Sequence, residues 1–505
     1  FYRTGYREID LVDYDTRNYK ANANFHFRTK PEMEAASPEI IIANSFGSGT
    51  TVYQGDNRFS LRGITFLQNR IEYRKRNKFF IRAYTTRTGA GESYDPYFTA
   101  LELQESAKGD REWSIDYNDY WLNTVKPQIN ENGFPQLMIE IDPDTGLPNI
   151  NFDVAGAEQW LEDNKELLTH WHAESAAFAN GPGQGSSQSV AFFEPGTERF
   201  EEEFNRITTS LRSEGGTRFF DNSALYHVQG EYKFTPTWLD YVTVGGNARL
   251  FTPISRGTVF SDTADITITN YEFGFYAGTQ KKFGADDKWK FQLTGRADKN
   301  ENYDWLFSPA GSVIWTPSEN NFLRASFSSA IRNPTLSDQF LLLDVGRATL
   351  AGNLNGAQNL ATLESLFDYF DNPGPNVIEY FDIDPVRPEQ VRTAEVGIRS
   401  TVFEKVFLDA SAYMSWYNNF LGFNIGADVE LDPNSGFVRN LEIFRYAANS
   451  VNTVRTQGAS VGANYYIDEH YTFIINYSWN KLVKTEEDDP IIPAFNTPEH
   501  KYNIG

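Results

Sequence analysis

Polar and apolar residues alternate with a period of two in segment after segment of this chain. No other feature restricts its fold as much. In "YKANANFHFR" the apolar set is Tyr19, Ala21, Ala23, Phe25 and Phe27, while Lys20, Asn22, Asn24 and His26 face the other way. In "SALYHVQGEYKF", Ala224, Tyr226, Val228, Gly230, Tyr232 and Phe234 oppose His227, Gln229, Glu231 and Lys233. Successive side chains of a strand point to opposite faces, so each segment reads as a strand with one apolar and one polar face. About fifteen are expected, near 19–28, 39–46, 61–74, 78–87, 222–235, 240–251, 267–281, 288–299, 307–316, 321–330, 391–402, 406–419, 454–467, 471–483 and 499–505.

The links between these segments alternate in length. Short ones fall at 75–77, 235–239, 282–287, 317–320, 404–405 and 468–470, and long ones at 47–60, 88–221, 252–266, 331–390, 420–453 and 484–498. Two links depart from the scheme, a brief 300–306 and a longer 29–38. A soluble sandwich has no reason to gather its long loops at one end. A membrane barrel does, with short turns on the periplasmic side and long loops outside. No run approaches the ~18 apolar residues of a membrane helix, but a barrel strand crosses with only ~10 alternating residues. Trp238, Trp289, Trp315, Tyr471 and Trp479 near strand ends suit interfacial girdles, although cross-strand aromatic pairs stabilise any sheet. The expected fold is therefore all-β, a transmembrane antiparallel β-barrel with a large, partly helical extracellular loop. Its apolar face would meet outer-membrane lipid. Inward polar residues such as Gln229, Glu231, Arg296, Asp409 and Ser411 would line the lumen.

Composition removes several kinds of chemistry. With no cysteine, thiolate metal sites, disulfides and thiol nucleophiles are excluded. A net charge of −23 argues against a nucleic-acid partner. No Ser-His-Asp order, paired catalytic carboxylates or phosphate loop is present, so no catalytic residue and no cofactor is assigned. A barrel enzyme and a passive porin stay as alternatives to a transporter.

Segment 88–221 is too long for an ordinary loop. It carries helix-like runs, "TALELQESAKGD", "EWSIDYNDYWLNTVKPQI", "AGAEQWLEDNKELLTHWHAESAAFA" and "GTERFEEEFNRITTSLRS", joined partly by the flexible "GPGQGSSQS" (181–189). From Arg87 to Asp221 there are 25 Asp/Glu against 9 Lys/Arg, or −16. Such a segment either favours neutral or cationic ligands or is simply a solvated surface. Trp113, Tyr117, Tyr120 and Trp121, with Trp160 and Trp171, are the ligand-binding candidates, because aromatic faces stack on flat ligands and sugars. The competing reading makes them the core of the loop. Asp142 and Asp144 in "DPDTGLPN" have part of a calcium-loop spacing without the bidentate Glu, which favours a plain turn and no metal. His170 and His172 lie two apart on an expected helix, so they face different ways and make a poor metal pair.

Several stretches carry a resemblance in the same order along the chain. They are "SPAGSVIWTPSENNFLRASFSSAIRNPTLSDQF" (308–340), "VRPEQVRTAEVGIRS" (386–400), "NTVRTQGASVGANYYI" (452–467) and "NTPEHKYNIG" (496–505). Together they resemble the barrel of TonB-dependent transporters, and residues 53–95 look like the variety found in the Bacteroidota. In that family a strand ends in a small-Arg-x-Pro-like element before a long loop, here Ala330 to Pro334. A Pro-Glu segment then leads into a Glu-x-Gly strand, here Glu395-Val396-Gly397. The resemblance implies a 22-stranded barrel closed by an N-terminal plug. It also implies import of a scarce ligand across the outer membrane, powered by the TonB complex of the inner membrane. Phe1 is expected in or beside a barrel strand, so residues 1–505 are expected to be a barrel portion, incomplete at both ends, with the plug and its TonB-binding segment outside the sequence. The ligand stays open between ferric chelate, glycan, peptide and vitamin, as does a surface lipoprotein partner of the kind used in the glycan-importing branch.

Overall fold

The computed structural model describes the chain except residues 1, 2, 4, 56, 57, 142–147, 184–187, 264, 375, 484–490 and 492–496. It divides into two compact units. The larger comprises Asn18–Gly49, Gly63–Gly91 and Phe220–Gly505; the smaller comprises Phe1–Arg17, Thr50–Arg62 and Glu92–Phe219.

A fifteen-stranded antiparallel sheet forms the wall of the larger unit, each strand bonded to the next in chain order. Its strands are β1 (Asn18–Arg28), β2 (Glu39–Gln54), β3 (Arg58–Lys75), β4 (Phe79–Gly89), β5 (Ala224–Phe234), β6 (Tyr241–Thr252), β7 (Asn270–Phe283) and β8 (Trp289–Asn300). The remainder are β9 (Leu306–Ser318), β10 (Asn321–Arg332), β11 (Glu389–Val402), β12 (Val406–Asn418), β13 (Val454–Tyr466), β14 (Thr472–Val483) and β15 (His500–Ile504). The alternation sets their register. Trp289 lies opposite Phe283 and Arg296 opposite Tyr276, so the apolar and polar rows stay on separate faces across β7 and β8; a one-residue slip would exchange them. On the apolar face Phe275, Leu293 and Phe307 are 61%, 62% and 65% exposed, which a membrane tolerates and water does not favour. Near the short turns Trp289 stacks on Trp315 at 5.7 Å and Phe283 on Phe291 at 4.9 Å, part of an aromatic belt.

Two expectations fail in the loops. The link expected at 47–60 is mostly strand, because β2 continues to Gln54 and β3 starts at Arg58. Gly47, Ser48 and Gly49 interrupt the apolar pattern, yet β-branched Thr50, Thr51 and Val52 keep the backbone extended. The connections 331–390 and 420–453 also build a second, six-stranded sheet. Its order is Leu342–Asp344, Thr349–Ala351, Val438–Asn449, Leu421–Leu431, Ala357–Ala361 and Tyr380–Ile383. A helix at Leu363–Asp371, capped by the Thr362 side chain, contributes Leu366 to a small core with Ala361 and Ala427. Asn353, 2% exposed, joins the two connections by donating to the carbonyls of Asp384 (2.8 Å) and Ala447 (2.9 Å).

The smaller unit is helical, with helices at Pro96–Ala107, Asp110–Tyr120, Lys126–Glu131, Val154–Asp163, Lys165–Ala179 and Glu198–Thr209. Asp95 and Thr197 cap two of them, which explains why they start where they do. Leu103, Ala107, Phe200 and Ile207 form one core, and Leu11 and Val12 complete it. The N-terminal residues are thus packed on the helices, with Tyr94 donating to the Leu11 carbonyl at 2.6 Å, and the first wall strand begins only at Asn18. Phe1, expected in or beside a wall strand, lies outside the described residues.

Candidate functional site

β10 ends at Arg332, where Asn333-Pro334-Thr335 breaks the ladder. The chain turns into a short helix at Leu336–Phe340, closed by reciprocal bonds between Thr335 and Asp338. Beneath this turn is a cavity of about 780 Å³, lined by the polar faces of β5 to β8 and by residues 331–339.

Three transverse rows build it. In the first, Glu231, Gly245, Tyr276 and Arg296 are successive cross-strand partners. Tyr276 donates to Glu231 Oε2 at 2.7 Å, and its ring needs the space over Gly245, where a Cβ would come within 2.4 Å of it. The second row is Gln229, Asn247, Gly274 and Asp298. Arg296 reaches into it, donating from Nε to Asp298 at 2.7 Å and from Nη2 to Asn247 at 2.6 Å. A Cβ on Gly274 would stand 2.1 Å from Asp298 Oδ1, so the absent side chain makes room for this pair. In the third row, His227, Arg249, Glu272 and Asn300 follow one another. Glu272 lies 3.6 Å from Arg249 and accepts from Asn300 and Asn333, each at 3.0 Å.

Amides tie the turn to this wall. Gln339, 4% exposed, donates to the Pro334 carbonyl at 2.7 Å. Its Oε1 accepts from Asn270 at 3.2 Å and Asn302 at 2.8 Å, and Asn300 donates to Asn270 at 2.8 Å. The lining is mixed: polar groups whose hydrogen bonds are largely internal, and apolar surface from Phe80, Phe251, Phe260, Tyr276, Ile331 and Leu336. Such a site can orient a ligand through directed donors and acceptors.

The aromatic candidates of the helical unit are placed differently. Trp113, Tyr117 and Trp171 are 3%, 2% and 2% exposed, so they are core. The Trp113 indole N–H donates to Asn180 at 2.7 Å, that of Trp171 to Gln128 at 3.0 Å and that of Trp160 to the Asn132 carbonyl at 2.8 Å. Tyr117 bonds to His172 Nδ1, and Trp121 stacks on the same ring at 4.4 Å. Burial pushes the Tyr117 phenol up and the His172 imidazole down, which keeps the pair neutral. Tyr120 stacks on Phe178 at 4.9 Å and, like Trp121 and Trp160, is partly exposed. The structure brings Trp113, Tyr117 and Trp121 together as a stack whose faces are largely taken by one another. His170 lies beside Glu174 at 3.3 Å, apart from His172's partners. Asp142 and Asp144 lie outside the described residues, and among the described residues no group of three His, Asp or Glu could hold a metal.

Residues 2–505 match the family described as "TonB dependent receptor-like, beta-barrel". The chain belongs to that family. A variant of the ferric enterobactin receptor PfeA from Pseudomonas aeruginosa is 11% identical with a TM-score of 0.51, over 99% of this chain and 56% of that one. The siderophore receptor PirA from the same species is 10% identical with a TM-score of 0.48, over 93% and 57%. The FrpB iron transporter from Neisseria meningitidis (F3-3 variant) is 12% identical with a TM-score of 0.46, over 96% and 55%. The chain thus spans little more than half the length of these structures, and the PfeA likeness concerns the fold alone. A search of curated proteins finds no significant match. As a TonB-dependent receptor barrel, the fifteen-stranded wall belongs to the bacterial outer membrane, and the cavity lies on the face that carries its polar rows. Gln229, Glu231 and Arg296 were legible in the sequence as inward residues of that barrel. Asn270, Asn300, Asn333 and Gln339 were not, since they sit at strand ends and in the turn. The Asn-Pro break directly after a strand was the available signal.

Proposed function

We propose that this receptor imports a scarce ligand across the outer membrane, energised through the TonB complex, and that the cavity beneath Asn333–Gln339 is a ligand site on the route. The single observation that supports this reading is a cavity, lined by internally bonded polar groups and by aromatic surface, on the wall of a TonB-dependent receptor barrel. The reading includes a plug and further strands of the whole protein, since an open barrel of this size would leak solutes. It also includes the Bacteroidota affinity of residues 53–95. Segment 88–221, with 25 Asp/Glu against 8 Lys/Arg, or −17, is proposed to favour neutral or cationic ligands.

Uptake by cells expressing the full-length protein tests it. Accumulation should collapse when tonB is deleted or when a protonophore removes the gradient. Accumulation that continues unchanged would make the protein a passive porin.

A further inference from the structure

The helical unit carries a short hairpin whose apolar face is left open to solvent. Its strands, Met138–Ile141 and Pro148–Asn151, pair antiparallel, with Ile141 opposite Pro148 and Met138 opposite Asn151. Alternation sets Leu137, Ile139 and Ile141 on one face, and the same register, continued one step, brings Phe152 opposite Leu137. Leu137, Ile139 and Ile141 are 64%, 66% and 71% exposed, and Phe152 is exposed as well. At the root of the hairpin the Phe134 ring meets Trp160 edge-on at 5.2 Å and lies 6.3 Å from Phe152. The helix Val154–Asp163 prolongs the patch. Val154, Glu158, Leu161 and Glu162 share one side of it by their three- and four-residue spacing, and all four are exposed. Residues 148–166 hold 5 Asp/Glu against 1 Lys/Arg, and that cation, Lys165, is paired with Glu162. A two-stranded hairpin is marginal in water by itself, and contiguous exposed apolar surface with a polar rim marks an interaction site.

From this apolar ribbon and its acidic rim, we infer that the hairpin docks a cationic amphipathic helix presented by another protein. Five strand positions of ~3.4 Å make the ribbon ~17 Å long, and two strands make it ~10 Å wide. That is the footprint of ~11 helical residues at ~1.5 Å each. Charge decides between occupants. A second copy of this segment would bring its own excess of acid, 25 Asp/Glu against 8 Lys/Arg over 88–221, against the rim. An anionic lipid surface attracts basic segments and repels acidic ones. A helix whose apolar stripe is flanked by Lys and Arg supplies both the cover and the counter-charge. Such docking goes beyond import and does not depend on it.

The test is equilibrium binding by the purified full-length receptor in nanodiscs of zwitterionic phosphatidylcholine, with empty discs as the blank. The probe is a labelled Leu/Lys amphipathic helix of about 14 residues, long enough to span the ribbon. A Leu/Glu helix of the same pattern and a Leu/Lys peptide in scrambled order are the comparisons. The Leu/Lys helix should bind the receptor discs above the blank, with an affinity that falls at least tenfold between about 50 mM and about 500 mM salt. The other two peptides should not exceed the blank. Ile139→Thr with Ile141→Thr, which keeps β-branched residues in the strand, should weaken binding tenfold or more. Glu158→Gln with Glu162→Gln should weaken it at least threefold. Leu161→Ser, outside the hairpin, should do the same, and it serves if the hairpin variant melts early. Glu201→Gln with Glu202→Gln, exposed on the helix Glu198–Thr209 of the same unit, should leave binding within twofold. Absence of binding above the blank overturns the inference, as does equal binding of the Leu/Glu or scrambled peptide. So does binding that the Ile139/Ile141 change leaves intact in protein with wild-type melting, or that the Glu201/Glu202 change weakens as much as the Glu158/Glu162 change does. Receptor dimers, or attachment to anionic vesicles, that the Ile139/Ile141 change abolishes would give the face to a second copy or to a membrane and overturn it too.

Discussion

Gly274 is a residue through which the cavity can be altered with little disturbance to the wall, whereas a Cβ on Gly245 would also stand 2.8 Å from the Gly230 carbonyl oxygen. Their missing side chains leave the space that Tyr276 and the Arg296–Asp298 pair occupy. At Gly274 the obstructing atoms are the ends of flexible side chains, so Gly274→Ala should leave the sheet paired while it displaces Arg296 from Asn247. The expected outcome is a barrel with unchanged melting and ligand affinity lowered about tenfold, or ~1.4 kcal/mol. Normal affinity in that variant would show that the Arg296–Asp298 geometry does not matter. In the helical unit Lys108 and Asp116 are both buried, with Nζ 2.6 Å from the carboxylate and 2.8 Å from the Ala179 carbonyl. Removing one member of such a pair strands the other, at a cost of ~3–5 kcal/mol, whereas replacing both with apolar residues is often neutral. Asp116→Ala should therefore speed hydrogen exchange across 110–131 and 165–179, and the double change Lys108→Met with Asp116→Leu should restore much of the protection. The aromatic candidates show where residue-scale reading stops. Trp113 and Trp171 carry the same letters whether they face a ligand or a helix, and only their bonds to Asn180 and Gln128 separate the two cases.

The wall strands were legible because all but β15 run eleven or more residues, long enough for a period-two signal to register. β7 and β8 fall within three residues of their expected ends for that reason. The six-stranded loop sheet was not. Leu342–Asp344 and Thr349–Ala351 have three residues each, too few for a period to register, and their pairing depends on the distant hairpin of Leu421–Leu431 and Val438–Asn449. That hairpin turns at Asp432, whose carboxylate accepts from the backbone N–H groups of Ser435 and Asn434 and from Arg439, and is held at about 2. Because this lies below the unfolded value of ~3.9, the stabilisation is complete above that value and is lost as pH falls toward about 2. A carboxyl-carbon NMR titration of the full-length protein should find Asp432 still ionised at about pH 3. A midpoint at the ordinary aspartate value would mean that the turn is open. Replacing 110–180 with a Gly/Ser linker should leave the wall folded, since its hydrogen bonds are made strand to strand. Ligand affinity in that variant should stay within about threefold if recognition is carried by the lumen face. Loss of binding would move recognition into the helical unit and its partly exposed Tyr120, Trp121 and Trp160.

At the scale of the molecule, the alternation of loop lengths carried more information than any single motif. It placed long connections after β4, β6, β10, β12 and β14, where the paired sheet keeps them, while the link after β2 shrinks to 55–57 and that after β8 is only 301–305. The proposed function is tied to this architecture through one place, the break at Asn333-Pro334, where a wall strand stops and its turn lies over the cavity. The most direct measurement is a cryo-EM map of the full-length receptor purified with the ligand whose uptake it supports. The account predicts ligand density within hydrogen-bonding distance of Asn270, Gln339 and the row holding Glu272. Density confined to the helical segment 88–221, with the cavity beneath Asn333–Gln339 holding only solvent, would contradict it.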